Sequence, residues 1–386
     1  MILDKTHAPK TSGWSRTPGA ARIPLVDLKA NYLSIKSEVD RAIQRVIDSS
    51  DYVLGEEVSA FETEFAVFCG VAHAVGVASG SAALLLTLTA CSVGPDDEVI
   101  TTPFTFPSAV EAIVHRGAKP VFVDIRRDDY TIDPAKIKVA LTDRTKAIIP
   151  VHLYGYPADM EPILSIARAH GLLVIEDAAQ SQGSSYRGRR VGGWGDLACF
   201  SFNPGKNLGA FGDAGAVVTS NPELAGLIRQ LRDHGRSTRF EHELIGFGER
   251  MDSLQAAVLR VKLRYLDQWN QKRERLAGIY DRLLEPVKGV TIRPLLHRAS
   301  VAIHIYVIEV ENNMMTLENL RKAGIQAGIH YPTPLHLQPA FAPYGQGRGS
   351  LPVAEEAAKR VLSLPVYQEL TDAQVQSVVH ALRRSL

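Results

Sequence analysis

From residue 23 onward the apolar positions switch between two spacings. Ile35, Val39, Ala42, Ile43, Val46 and Ile47 recur at helical intervals and predict a helix from roughly Ser34 to Ser49. Short apolar runs then predict strands at Ala74–Ala78, Glu98–Thr102, Pro120–Asp124, Ala147–His152 and Leu172–Glu176. Helical patterns separate several of them, at Ser81–Cys91, Ser108–Arg116 and Met160–His170. Short β-branched runs that alternate with helices imply an α/β fold, with a mainly parallel central sheet between layers of helices. Ligands of such sheets gather beyond the carboxyl ends of the strands, and Phe106 and Asp177 both fall there.

The rhythm changes after residue 250. Leu254, Ala257, Val258, Val261, Tyr265 and Trp269 form one stripe, predicting a single long helix from Arg250 to about Leu283. A strand at Val301–Val310, a helix after Thr316, a proline-rich run from Pro332 to Pro343 and two terminal helices follow. The expected organisation is a mobile N-terminal tail over residues 1–20, a large domain over 21–269 and a smaller α+β domain over 270–386.

Composition narrows the partners. The formal net charge is +1, so no bulk field draws the chain to nucleic acid or an anionic membrane. No stretch approaches the roughly 20 apolar residues that span a bilayer, and residues 1–20 lack the apolar centre of a secretory signal. Cys69, Cys91 and Cys199 stand far apart, which suits a reducing cytoplasm and neither a disulfide framework nor a zinc site.

The candidate chemistry centres on Lys206, in Ser201-Phe-Asn-Pro-Gly-Lys206-Asn-Leu-Gly. Most lysines are solvated, but Phe200, Phe202, Leu208, Phe211 and several glycines make poor surface. A phosphate loop of the Walker A type is excluded, because Asn207 stands where Ser or Thr is needed and Phe200 replaces the first glycine. Asp177 ends an apolar strand in Glu176-Asp-Ala-Ala-Gln180; its plain alternative is a loop or capping carboxylate. Gly80 and Ser81 open a helix directly after a strand, where free amides hold an anion, and Ser201 adds a hydroxyl. An amine, a buried carboxylate and hydroxyls beside glycines are the parts that hold pyridoxal 5'-phosphate: Lys206 as Schiff-base amine, Asp177 on the ring nitrogen. Gln180 can donate to the cofactor's phenolate oxygen and Phe106 can stack on its ring, with helix-start and core packing as the plain alternatives. The loop Gly328-Ile-His330-Tyr331-Pro-Thr-Pro-Leu-His336-Leu-Gln338 concentrates two imidazoles, a phenol and an amide. No carboxylate adjoins the histidines, so hydrogen bonding to a polyhydroxylated ligand is expected there, not a metal; structural turn histidines are the alternative.

These segments together resemble the sugar aminotransferases of the DegT/DnrJ/EryC1/StrS family, of fold type I among pyridoxal phosphate enzymes. The resemblance runs from about Ile23 to the end and includes Ile23–Lys29, Ala78–Ala82, Gly94–Ile100, Thr105-Phe106, Glu176–Gln180, Phe200–Gly215 and Arg250–Ala257. It implies Lys206 as the Schiff-base lysine, Asp177 on the pyridine nitrogen, Gln180 at the 3'-oxygen, Phe106 on the ring, and Gly80, Ser81 and Ser201 on the phosphate. Dehydratases of similar sequence carry histidine at the lysine's place, so Lys206 implies transamination. The His330–Gln338 loop looks like that of enzymes aminating C-3 of nucleotide-linked 3-keto-6-deoxyhexoses, which assigns His330, Tyr331 and His336 to the substrate. The resemblance further implies L-glutamate as donor, a keto-sugar nucleotide (dTDP-linked) as acceptor and a homodimer with shared sites. Amination at C-4 or of a keto-cyclitol, and a non-catalytic cofactor-binding regulator, are the rival readings. Two departures stand out: Gly248 where the family has an asparagine reaching the neighbouring subunit's phosphate, and Ile303 where an aromatic is common.

Overall fold

The computed structural model describes residues 23–292 and 299–386, so the expected tail over 1–20 lies outside the described residues. Seven strands form the main sheet: β1 His73–Val77, β2 Glu98–Thr101, β3 Lys119–Phe122, β4 Thr145–Ile148, β5 Leu173–Asp177, β6 Leu197–Ser201 and β7 Gly215–Thr219. Their order is β1-β7-β6-β5-β4-β2-β3. The run from β6 through β3 is parallel, and β7 pairs antiparallel with both β6 and β1. Both faces are covered, which is why β2 and β7 are buried at every position, Glu98, Thr101 and Thr219 included.

Asp177 and Ser201 are the last residues of β5 and β6, and Asp177 pairs in register with Cys199. The parallel pairing therefore brings a carboxylate and a hydroxyl, 24 positions apart in the chain, to one edge of the sheet. The helix Gly80–Ala90 starts at that edge, capped by Ser79, whose side chain accepts from the Ala82 amide at 3.0 Å. Most of its residues are buried, as befits a helix held between the sheet and the neighbouring helix Ser108–His115.

A second antiparallel sheet of three strands, β8 Val290–Ile292, β9 Tyr306–Val310 and β10 Val361–Leu364, belongs to the C-terminal part and is ordered β8-β9-β10. The helices Asn313–Lys322, Pro352–Arg360 and Asp372–Arg383 pack around it.

Four expectations change in detail. The single helix expected from Arg250 to Leu283 is two, Ser253–Leu263 and Leu266–Leu284. At the junction the Tyr265 amide donates to the Lys262 carbonyl three residues back, a tightened turn that leaves the apolar stripe intact while redirecting the axis. Position 270, the expected domain boundary, lies within the second of these helices. The strand expected over Val301–Val310 begins only at Tyr306. Upstream, Ala299 and Ser300 pair with Ser185 and Tyr186, and the Ala302 and His304 amides donate to Ser184 Oγ at 3.0 Å and the Tyr154 carbonyl at 2.9 Å. The run is apolar because it is buried, and loop partners take the place of a strand ladder. The helix expected after Thr316 starts at Asn313, because the Asn312 side chain caps it through the Met315 amide.

Candidate active site

A cavity of about 320 Å³ opens at the carboxyl edge of the main sheet. From the sheet side it is lined by Phe106, Gln180, Asn203, Gly205 and Lys206; from the other side by Arg273, His304, Ile305, His330, Tyr331 and Val366, with Leu25 and Val26 completing it. The lysine, the amide, the aromatic and two of the three loop residues singled out from the sequence thus meet in one place.

Burial pushes the Lys206 amine down to about 8, against the opposing pull of the Asp177 carboxylate. An amine so placed is partly unprotonated near neutrality, as a nucleophile and proton carrier must be. Asp177 is 6% exposed, and burial raises its carboxyl above the usual range, opposed by the Ala179 amide, by Lys206 and by His152. Its Oδ1 accepts from the Ala179 amide at 3.1 Å. A buried carboxylate on one neutral hydrogen bond calls for a cation, and a protonated pyridine nitrogen is one.

The residue before it is held more firmly. Glu176 accepts from the amides of Gly192, Trp194 and Gly195 at 2.8 to 2.9 Å and lies 2.9 Å from His152 Nε2. Because His152 Nδ1 accepts from the Ala158 amide, Nε2 carries the proton and donates to Glu176. That clamp fixes the end of β5 and hence Asp177.

Gly80, Ser81 and Ser201 form a corner beside the cavity, connected to it by the Asn203 amide, which donates to Ser201 Oγ at 3.4 Å. A Cβ on Gly80 would stand 2.6 Å from Ser201 Cβ, and one on Gly215 would stand 2.3 Å from the Ser79 carbonyl oxygen. Only glycines allow the helix start, β6 and β7 to meet so closely. Ser79 uses the Ala82 and Ala83 amides; the amides of Gly80 and Ser81 are the remaining donors of that first turn, in the arrangement that receives phosphate. Ser81 Oγ lies 2.7 Å from Ser108 Oγ. Phosphate corner, ring carboxylate and amine fit pyridoxal 5'-phosphate. Phe106, 56% exposed, lines the same cavity as Lys206 and would be free to pack on the ring.

Gln180 is oriented by its neighbours. Its Oε1 accepts from the Tyr154 amide at 2.8 Å, so Nε2 is the end that reaches the Tyr331 hydroxyl, at 3.1 Å. Tyr154 also donates its hydroxyl to the His330 carbonyl. Burial drives the His330 imidazole down to about 4 and His304 well below its ordinary value, with Lys206 adding to both. Both rings are neutral hydrogen-bonding groups at physiological pH.

His336 is not brought to the cavity. Its ring is 2% exposed, lies 3.1 Å from Glu355 Oε1 and packs beside the Phe122 ring. The Leu335–Leu337 turn directs it into the protein, so the spacing of two histidines on one loop did not put them on one face. At the other departure, a Cβ on Gly248 would meet His234 Cε1 at 3.2 Å, so that imidazole borders the space a side chain would enter.

Sequence reasoning assigned no role to Asn207, Asn270, Arg273 or Tyr154, nor to His304. Asn207 Nδ2 donates to Asn270 Oδ1 at 2.9 Å and to the Ile303 carbonyl at 3.2 Å, while its Oδ1 lies 3.3 Å from His304 Nδ1. The available signal was Asn270 and Arg273, polar and one turn apart, interrupting the buried stripe Trp269, Leu276, Tyr280.

Comparison with known proteins agrees with this chemistry. Residues 33–383 match the DegT/DnrJ/EryC1/StrS aminotransferase family. The chain is 48% identical over 361 residues to the erythromycin biosynthesis sensory transduction protein EryC1 of Saccharopolyspora erythraea, covering 94% of this chain and 99% of that one. It is 45% identical over 362 residues to the dTDP-3-amino-3,4,6-trideoxy-alpha-D-glucose transaminase of Streptomyces venezuelae, covering 94% and 96%. The crystal structure of S. venezuelae DesV in complex with a ketimine intermediate superposes with a TM-score of 0.92 at 45% identity, over 95% of this chain and 98% of that one. Other relatives, 41–43% identical, are named as dTDP- or UDP-sugar aminotransferases. The chain belongs to the DegT/DnrJ/EryC1/StrS aminotransferase family, and it is a pyridoxal phosphate-dependent transaminase.

Proposed function

We propose that this transaminase moves the amino group of L-glutamate to the C-3 ketone of a nucleotide-linked 3-keto-6-deoxyhexose, giving a 3-amino-3,6-dideoxyhexose. The observation that carries the reading is one cavity holding Lys206 on one wall and the neutral imidazoles of His304 and His330 on the other. An amine that exchanges protons faces a surface suited to sugar hydroxyls. The names of relatives support a sugar nucleotide amination at C-3, with dTDP as the nucleotide we assign.

When bound, pyridoxal 5'-phosphate supplies an aldehyde for Lys206 and a protonated ring that withdraws electrons. Asp177 would hold the ring nitrogen, Gln180 Nε2 the phenolate oxygen, Phe106 the ring face, and Gly80, Ser81 and Ser201 the phosphate. Lys206 Nζ takes the proton from Cα of the donor in the first half-reaction and returns one to C-3 of the sugar in the second. His330 and Tyr331 would hold sugar hydroxyls beside it. Burial raises the Tyr331 phenol, with the Gln180 contact opposing, so it stays protonated and donates.

We further propose a large lobe and a small lobe meeting along the helix Leu266–Leu284, a homodimer and a cytoplasmic setting. Exposed apolar side chains near the cavity and on the loop beyond residue 236 support the dimer, with Phe240 and Ile245 85% and 97% exposed. The buried free thiols of Cys69, Cys91 and Cys199 support the compartment. Incubation with glutamate and 3-keto, 4-keto and inosose acceptors, followed by mass spectrometry and NMR location of the new amine, tests the substrate. An amine at C-3 of the hexose is expected; one at C-4 or on a cyclitol replaces this reading, and no half-reaction with any amino acid favours a regulator.

A further inference from the structure

A chain of buried amides behind the cavity fixes the proton on one of its histidines. Asn270 and Asn207 are both buried, and a backbone carbonyl sets the orientation of each. Asn270 Nδ2 donates to the Gln182 carbonyl at 2.9 Å, which turns Asn270 Oδ1 toward Asn207. Asn207 Nδ2 donates to that oxygen at 2.9 Å and to the Ile303 carbonyl at 3.2 Å. Asn207 Oδ1 is then the end that lies 3.3 Å from His304 Nδ1. An amide oxygen only accepts, so the ring proton of His304 sits on Nδ1. Burial holds the ring neutral, with Lys206 and Arg273 adding to the effect, so Nε2 keeps a lone pair and no proton. That nitrogen has no hydrogen-bond partner among the described residues and stays accessible, on a side chain that lines the cavity.

We propose that His304 Nε2 accepts a hydrogen bond from a hydroxyl of the sugar, and that Asn207 and Asn270 are positioning residues that hold the ring in the form able to do so. The inference rests on the sugar-amination reading and deepens it, because it names a side chain that treats the two substrates differently. An ionised carboxylate only accepts, so a bare imidazole nitrogen gives those of glutamate nothing to bind, whereas a pyranose hydroxyl donates to it. The neighbouring imidazole is not fixed in this way: His330 Nδ1 lies 2.8 Å from Ser363 Oγ, and a hydroxyl serves as donor and acceptor alike. His304 is thus the ring whose polarity the fold itself dictates. Lys206 is the other donor within the cavity, and an Nε2 that served it would matter equally to both half-reactions.

Two measurements test this. In protein carrying isotope-labelled histidine nitrogens, long-range proton–nitrogen NMR distinguishes a ring protonated at Nδ1 from one protonated at Nε2, and the signals missing from His304→Asn belong to His304. The Nδ1–H form is expected in the wild type and a mixture of tautomers in Asn207→Ala. An Nε2–H ring in the wild type, or a tautomer unchanged in Asn207→Ala, overturns the proposal; loss of packing alone would not move this signal. Stopped-flow absorbance then follows the half-reactions with glutamate and with a dTDP-linked 3-keto-6-deoxyhexose. His304→Asn keeps an amide donor toward Asn207 and removes Nε2. Half-saturation for the sugar should rise about tenfold to a hundredfold, and that for glutamate by less than about threefold. Equal rises, or no rise for the sugar, overturn the proposal. Should His304→Asn not fold, a wild-type crystal structure with the dTDP-linked 3-amino-3,6-dideoxyhexose decides: a sugar hydroxyl within hydrogen-bond distance of His304 Nε2 supports it, and none there overturns it. A wild type that reacts with glutamate but leaves the keto sugar untouched refutes the sugar-amination reading itself, a result distinct from normal half-reactions indifferent to His304→Asn.

Discussion

The two walls of the cavity are built by different means. The sheet-side wall consists of residues just beyond the ends of adjacent strands: Gln180 lies three residues past Asp177, the end of β5, and Asn203, Gly205 and Lys206 lie two to five residues past Ser201, the end of β6. Ladder bonds and short-range contacts place them, so each side chain's position follows from a local segment. The opposite wall is assembled from residues 270–366, held by side chains of distant segments: Asn207 on His304, Gln180 on Tyr331, Tyr154 on His330, Ser363 on His330. A wall made of strand ends is a rigid carrier for chemistry that must not move. The other wall can change its side chains while keeping the same tie points, which suits a surface that chooses substrates.

The sharpest break of this comparison is Lys206→Ala. It should lower the glutamate half-reaction by about 10⁴-fold and abolish the visible absorbance of lysine-bound cofactor, as read by stopped-flow spectroscopy. Retained absorbance with normal turnover would remove Lys206 from the chemistry.

Next is Gly80→Ala, which places a methyl 2.6 Å from Ser201 Cβ. Cofactor affinity is expected to fall about tenfold to a hundredfold in equilibrium dialysis, from a clash costing about 1–3 kcal/mol. Unchanged affinity would show that the corner is soft and not a fitted cradle.

On the other wall, Asn270→Ala strips Asn207 of a buried partner at 2.9 Å. Denaturant melts should show a loss of about 1–3 kcal/mol. The keto-sugar half-reaction should suffer more than the glutamate half-reaction, because Asn207 contacts His304; the reverse order would count against the division of labour.

The smallest effect is in pH. For both Lys206 and His330 the folded state has the lower proton affinity, about 8 against 10.5 and about 4 against 6.5. The unfolded chain then binds more protons inside each window, so stability of the cofactor-free protein rises with pH across it. Unfolding curves at stepped pH should show a slope between pH 8 and 10.5 that Lys206→Met reduces, with Lys262, which burial also holds at about 8, supplying the remainder. A second slope, between pH 4 and 6.5, should become shallower in His330→Gln, with the buried His304 supplying the remainder. Slopes that survive both substitutions belong to other groups.

Much of this was legible in the chain. The parallel sheet, its strand positions and the grouping of Lys206, Asp177, Gly80 and Ser201 all follow from apolar periodicity and from motifs that lie within a few residues of a strand end. His336 lies off the cavity, which the chain did not reveal, because a two-histidine loop reads the same whether a turn points both rings outward or buries one on Glu355. Arg273 and His304 were invisible as site residues because their meaning depends on a neighbour far away in sequence. The break at Tyr265 was hidden because a tightened turn preserves the apolar stripe.

By itself, then, the sequence determined which groups gather at the carboxyl edge of the sheet, since an amine, a carboxylate and a glycine corner at strand ends have their places set by local backbone geometry. Only the tertiary structure decided which polar side chains line the substrate side and which are spent on packing. That choice depends on long-range hydrogen bonds, whose partners, such as Asn207 and the carbonyl of Ile303 96 residues apart, meet only in the folded chain.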